Sequence, residues 1–188
     1  KELGKQFTGI PTLIVHPGGY SLNQLPQEDI EKMKNSLVGA INKLDFKGVH
    51  FLLENMPPYA WFFGGRWFCN CFLSASEMID YCKQTGLRVC YDVCHSYLYC
   101  NKEKLLIKDE LKKVEKSVDH FHLSDAEDVD GEGLQFGDGD LPFNEIIPIL
   151  NNYPDKSFAI EVWKGHEQKG KGFEEFLHKI KCMGLEIN

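Results

Sequence analysis

The octapeptide Arg88-Val89-Cys90-Tyr91-Asp92-Val93-Cys94-His95 decides how the chain is read. β-Branched and aromatic residues alternate with small or polar ones, and an acid and an imidazole then follow three positions apart as the apolar run stops. A strand ending in Asp-x-x-His points the acid out of its last pleat, and the following turn returns the imidazole to the same side. One strand tip thereby offers two ligands to a hard cation. The same residues also suit a buried strand whose Asp92 caps the next helix and whose His95 fills a polar gap. Repetition along the chain tips the balance.

Working outward, Val49 to Leu53 reads as a strand ending on Glu54-Asn55, and Thr12-Leu13-Ile14-Val15 as one closing on His16-Pro17-Gly18-Gly19. Pro and two Gly after a strand turn the backbone away and leave His16 at the lip. Downstream, Val118 to Leu123 carries His120 and His122 on one face by the two-residue period, and Phe158-Ala159-Ile160 ends on Glu161.

Helices separate these strands. From about Pro26, Ile30, Met33, Leu37, Ile41 and Leu44 recur at helical spacing. Ser74 and Glu77 have capping-box spacing ahead of a helix that Gly86 ends. A lysine-rich helix is expected near 103–117, a short one near 143–150, and a last one with Phe173, Phe176, Leu177, Ile180 and Met183 on one side and Gly184 as its stop. Two stretches read as loops: the aromatic run Tyr59 to Phe68, and the acidic, glycine-rich run Ser124 to Asp140, too polar and flexible for core. Residues 1–8 read as a lead-in, and 185–187 as the start of a sixth strand.

The tips His16, Glu54, Asp92, His122 and Glu161 are spaced 38, 38, 30 and 39 residues apart. A near-constant strand-plus-helix unit with its polar residue at the strand's C-terminal end is the organisation of an α/β, parallel β/α (TIM) barrel, where such residues gather on one rim. A doubly wound sheet shares the alternation but does not bring five tips to one point. A complete barrel has eight units and about 250 residues. The expectation is one barrel domain over 1–188, lacking its first one or two β/α units, with on the order of 70 residues preceding Lys1.

Composition sets bounds. The formal charge of -7, with Arg66 and Arg88 the only arginines, offers no basic face for a phosphate backbone. No apolar run approaches the roughly 20 residues that span a bilayer. Seven cysteines without a Cys-x-x-Cys pair fit reduced thiols of a cytoplasmic protein better than disulfides or a structural zinc site, Cys69-Asn70-Cys71 included.

His16-Pro17-Gly18, Glu54-Asn55, Asp92-x-x-His95, His122-Leu123-Ser124-Asp125 and Ile160-Glu161 resemble, in order and spacing, the superfamily of xylose-isomerase-like barrels. That superfamily holds sugar isomerases and epimerases of the tagatose-3-epimerase type and apurinic endonucleases of the endonuclease IV type. For an epimerase the resemblance implies one divalent cation held by Glu54, Asp92, His122 and Glu161, commonly Mn²⁺, with Zn²⁺, Mg²⁺ or Co²⁺ as substitutes. Hard oxygen donors with one imidazole agree with that choice. Glu54 and Glu161 would then remove and return the proton beside the carbonyl through an enediolate, and His95 would bind a sugar oxygen. For an endonuclease it implies three zincs, with His16, Glu54, Asp92, His95, His122 and Glu161 as ligands. Asp130-Gly131-Glu132 departs there from the family's Asp-x-His, an acid standing where the third zinc would have an imidazole.

Seven carboxylates between Asp125 and Asp140 would repel phosphates beside the rim, which favours a small sugar or sugar phosphate over nucleic acid. Trp61, Phe63 and Trp67 suit stacking on a sugar face, or packing on the barrel top. Arg66 suits a phosphate or carboxylate of the substrate, or plain surface duty, and Lys164 does so more weakly. His16, His95, Arg66, Trp67 and Glu132 are thus the candidate substrate contacts. His120 reads as a core histidine, and His50 and His178 as surface or packing residues. The lysines from 102 to 116 read as a solvated helix face. The reading is a metal-dependent sugar isomerase or epimerase, with a homo-oligomer as one open assembly state. An endonuclease and a sugar-binding barrel without turnover are the alternatives.

Overall fold

A computed structural model of the chain describes residues 9–62 and 64–186. The expected lead-in at 1–8, Phe63 of the aromatic run and Ile187 of the expected sixth strand lie outside them. In chain order the elements are β1 (Thr12–Val15), β2 (Tyr20–Ser21), α1 (Gln27–Ile41), β3 (His50–Glu54), β4 (Tyr59–Phe62), β5 (Gly65–Cys69) and α2 (Ala75–Thr85). Then come β6 (Arg88–Asp92), α3 (Val93–Glu103), α4 (Ile107–Val114), β7 (Val118–Leu123), β8 (Asp125–Glu127), β9 (Gly131–Leu134), α5 (Phe143–Leu150), β10 (Ser157–Ile160) and α6 (Glu167–Cys182).

Five strands make one all-parallel sheet in the order β1-β3-β6-β7-β10. The order follows the chain with no reversal, which a doubly wound sheet would require. The sheet curls as part of a β/α barrel, with helices packed on its outer face. Leu53, Val89, Tyr91, Phe121 and Leu123 face those helices and are fully buried. Because side chains alternate, the intervening residues Glu54, Cys90, Asp92 and His122 face inward.

Local signals agree with the chain's turns. Ser74 caps α2 through a capping box with Glu77, and Gly86 closes it in the left-handed region at φ 71. α3 starts without a loop on the tip of β6, because the Asp92 carboxylate accepts the His95 backbone N–H at 2.7 Å. Asp92 therefore does cap a helix, through Oδ1, while Oδ2 stays turned toward the strand tips. The lysine-rich helix expected near 103–117 is the shorter α4, with α3 as an unexpected helix ahead of it, and Leu185 lies outside any strand. The seven cysteines are free thiols.

Both expected loops are instead hairpins. Tyr59-Ala60-Trp61-Phe62 pairs antiparallel with Gly65-Arg66-Trp67-Phe68 across a turn at Gly64, φ 75, and β2 adds to its far edge. The acidic run forms β8 and β9. It is organised rather than flexible because Asp125, 1% exposed, accepts backbone N–H groups from Ala126, Gly137, Gly139 and Leu141. Among the described residues no helix is long and apolar enough to cross a membrane.

Candidate metal centre at the strand tips

The register β3–β6–β7 sets the tips side by side, with Asp92 opposite His122. The Glu161 backbone N–H donates to the Leu123 carbonyl at 3.0 Å and so locks the fifth tip to its neighbour. Asn55 clamps β3 to β6 twice, accepting from the Asp92 N–H at 2.7 Å and donating to the Asp92 carbonyl at 3.0 Å. As a result one donor atom from each of Glu54, Asp92, His122 and Glu161 lies within 4.8 Å of all the others. His122 Nδ1 stands 2.9 Å from Glu54 Oε1, 3.2 Å from Glu161 Oε1 and 4.0 Å from Asp92 Oδ2.

Exposure differs sharply within this set. Glu54, Asp92 and His122 are buried, whereas the Glu161 side chain is 46% exposed. His16 reaches Glu54 Oε2 with Nε2 at 3.2 Å, and His95 places Nδ1 3.6 Å from Glu54 Oε1 and Nε2 3.7 Å from Glu132 Oε2. Of these, His16, Asp92, His95, Glu132 and Glu161 line, together with Ser124, a cavity of about 150 Å³. Its apolar wall includes Met56, Phe62 and Trp163.

The electrostatics follow from burial and proximity. Burial alone would raise Glu54, but hydrogen bonds from His122 and His16 hold its carboxyl well below the usual range. Burial would lower His122, and its bonds to Cys90, Glu161 and Glu54 push it up instead. Asp92 is pushed up to about 6, first by burial, with the nearby Glu54 charge adding to it and His95 and His122 opposing. Glu132 is also raised, chiefly by burial. Asp92 is held up at that value because its burial and the Glu54 charge exceed what the nearby imidazoles offset. A divalent cation would supply positive charge there, and three carboxylates with one imidazole are a donor set that fits Mn²⁺ or Mg²⁺.

Seven expected site residues therefore meet: Glu54, Asp92, His122, Glu161, His16, His95 and Glu132. Arg66 and Trp67 stand apart from the cavity. Arg66 is tied to Asp130 Oδ2 at 2.8 Å and lies over the Tyr59 ring at 4.1 Å, and Trp67 donates Nε1–H to the Phe62 carbonyl. Arg66, opposite Trp61, lies on the hairpin face away from the cavity-lining Ala60 and Phe62, whereas Trp67, opposite Ala60, shares their face but is held on the Phe62 carbonyl. Trp163 and Phe62 were missed as lining residues. Trp163 had a signal, since it lies two positions beyond the Glu161 tip. The acid-rich loop is also less exposed to a ligand than its composition implies, because Asp125 is turned inward and Asp130 is paired. His120 is half-buried with Nδ1 2.6 Å from Ser157 Oγ, and His50 pairs with Asp119.

A sequential parallel sheet whose C-terminal tips gather carboxylates and imidazoles defines a β/α-barrel protein with its site on the rim. The chain belongs to the xylose isomerase-like TIM barrel family, whose model matches residues 2–181. No curated protein matches the sequence. Among solved structures the chain is similar to a D-tagatose 3-epimerase-like protein, at 18% identity and TM-score 0.60 over 92% of this chain and 64% of that one. It is similar to 3-keto-D-glucoside 4-epimerase from E. coli, at 12% identity and TM-score 0.61 over 90% and 63%. Endonuclease IV from Thermus thermophilus is alike at 20% identity and TM-score 0.58 over 89% and 62%. The likeness is one of fold, and the chain spans less than two thirds of the length of these structures.

Proposed function

We propose that this barrel is a divalent-metal-dependent sugar or sugar-phosphate isomerase or epimerase. The observation that supports the reading is the convergence of Glu54, Asp92, His122 and Glu161 within 4.8 Å of one another, with Asp92 and Glu161 on the wall of a cavity sized for one small molecule. These four would hold the cation, which when bound polarises the substrate carbonyl. Glu161, the exposed member, takes the proton from the carbon beside that carbonyl or returns it. Glu54 is the second proton carrier. It lies buried, and His16, bonded to its Oε2 and half-exposed, links it to the cavity. His95 and Glu132 orient hydroxyls, and Phe62 and Trp163 give a sugar ring an apolar face to lie on.

The endonuclease alternative is favoured by His16 and His95, which stand 3.2 and 3.6 Å from Glu54 as further zinc ligands would. Against it, Arg66 holds Asp130, and Glu132 stands beside His95 where that chemistry needs an imidazole. The test is exchange of ketose α-protons with deuterated water by the Mn²⁺-loaded protein. Glu161→Gln, with its metal content measured, is expected to abolish exchange while sugar still binds. Cleavage of abasic DNA with zinc would establish the endonuclease instead, and sugar binding without any exchange the non-catalytic barrel.

A further inference from the structure

Cys90 is wholly buried, lies one pleat below Asp92 on β6, and is opposite His120 in the register with β7. Its sulfur lies within 4.8 Å of a His122 ring nitrogen. All three carboxylates approach that ring at Nδ1, which leaves Nε2 for the deeper layer. A metal-ligating histidine ordinarily gives its second ring nitrogen to a carboxylate, a carbonyl or water, which fixes both tautomer and ring orientation. Among the described residues no carboxylate or carbonyl bonds to that side of His122.

We infer that Cys90 is a positioning residue for the rim centre: its sulfur takes the His122 Nε2–H and so holds Nδ1, unprotonated, toward the cation. The inference rests on the metal reading above. Donor atoms of Cys90, His120 and His122 also lie within 4.8 Å of one another, as a second ion would need. That arrangement would require the His122 ring to lose its last proton to bridge two ions, and Ser157 already occupies His120 Nδ1 at 2.6 Å. A hydrogen bond asks for neither.

The experiment is Mn²⁺ titration followed by electron paramagnetic resonance, with thermal melting as the fold control. Cys90→Ala is expected to weaken Mn²⁺ binding by about 10- to 100-fold, the usual effect of removing such an outer partner. Cys90→Ser, which keeps a hydrogen-bonding atom, should restore most of it, and Cys90→Val replaces the alanine variant should that fail to fold. Unchanged affinity in the alanine variant, or serine as weak as alanine, overturns the inference. So does a thiolate-to-metal charge-transfer band with Co²⁺ that Cys90→Ser removes, since Cys90 would then be a ligand. A parent protein that binds no Mn²⁺ overturns the metal reading and this inference with it, whereas parent binding that Cys90→Ala leaves unchanged overturns the inference alone.

Discussion

Replacing Asp125 by alanine tests whether the second hairpin is held by a single carboxylate. Its oxygens accept from Ala126 and Gly137 at 2.8 Å and from Gly139 and Leu141 at 3.2 Å, in a side chain 1% exposed. Hydrogen bonds to a charged acceptor contribute roughly 1.5–3 kcal/mol each, and an orphaned buried amide costs about 1–3 kcal/mol. Gly137 and Gly139 are near the surface and can turn to water, so their loss counts least. About 4 kcal/mol is the expected total, against a stability of roughly 5–15 kcal/mol for an ordinary domain. With a urea slope of about 2 kcal/mol per molar, the unfolding midpoint should fall by about 2 M, read from tryptophan fluorescence. Asp125→Asn, which keeps one acceptor oxygen, should lose roughly half as much. A loss below about 1 kcal/mol in the alanine variant would show that the bonds do not organise the loop.

A Cβ at Gly133 would sit 1.9 Å from Trp163 Cδ1 at a φ of +72, so Gly133→Ala should displace Trp163, alter its emission and weaken ligand binding more than it lowers stability. Unchanged emission would contradict that packing. Mn²⁺ at 100 times its dissociation constant should stabilise the protein by about 2.7 kcal/mol, and Asp92→Asn should remove most of that gain in a thermal melt. Asp119 is raised by burial but held below its ordinary value overall by Lys156 and Arg88. Its contribution is therefore complete above the unfolded value of about 3.9 and is lost as pH falls through the lower folded one. Asp119→Asn should cost no more than about 1 kcal/mol at pH 7, the surface pairs being screened, and nothing in strong acid. An equal cost at both pH values would rule out the charge as the cause.

The parallel sheet and its ligand-bearing tips were legible because each apolar run ends on one polar residue of metal-binding type, and period-two alternation fixes which side that residue faces. The β4–β5 hairpin was also written in the chain, as aromatic runs flanking Gly64-Gly65, but its aromatic density masked the pairing. β8 and β9 were not legible. Their Asp, Glu and Gly residues have little strand preference, and what holds them is the fan of amides on Asp125, a tertiary effect. Arg66 reads as a free cation in sequence because its partner Asp130 lies 64 positions away. Glu132 could be picked out as a polar residue near the rim, but not its place beside His95.

The two hairpins were seen to meet at Asp130, where Arg66 grips the carboxylate and Trp61 donates its indole N–H to the carbonyl. Chain segments far apart in sequence thus form one roof over the mouth, while the strand tips beneath, which carry the proposed ligands, belong to the sheet. Ancestry can therefore remodel the roof, and with it the choice of guest, without disturbing the floor where the chemistry would occur. Exchanging both hairpins together should transfer selectivity, whereas exchanging either alone would leave half of a joint without its counterpart.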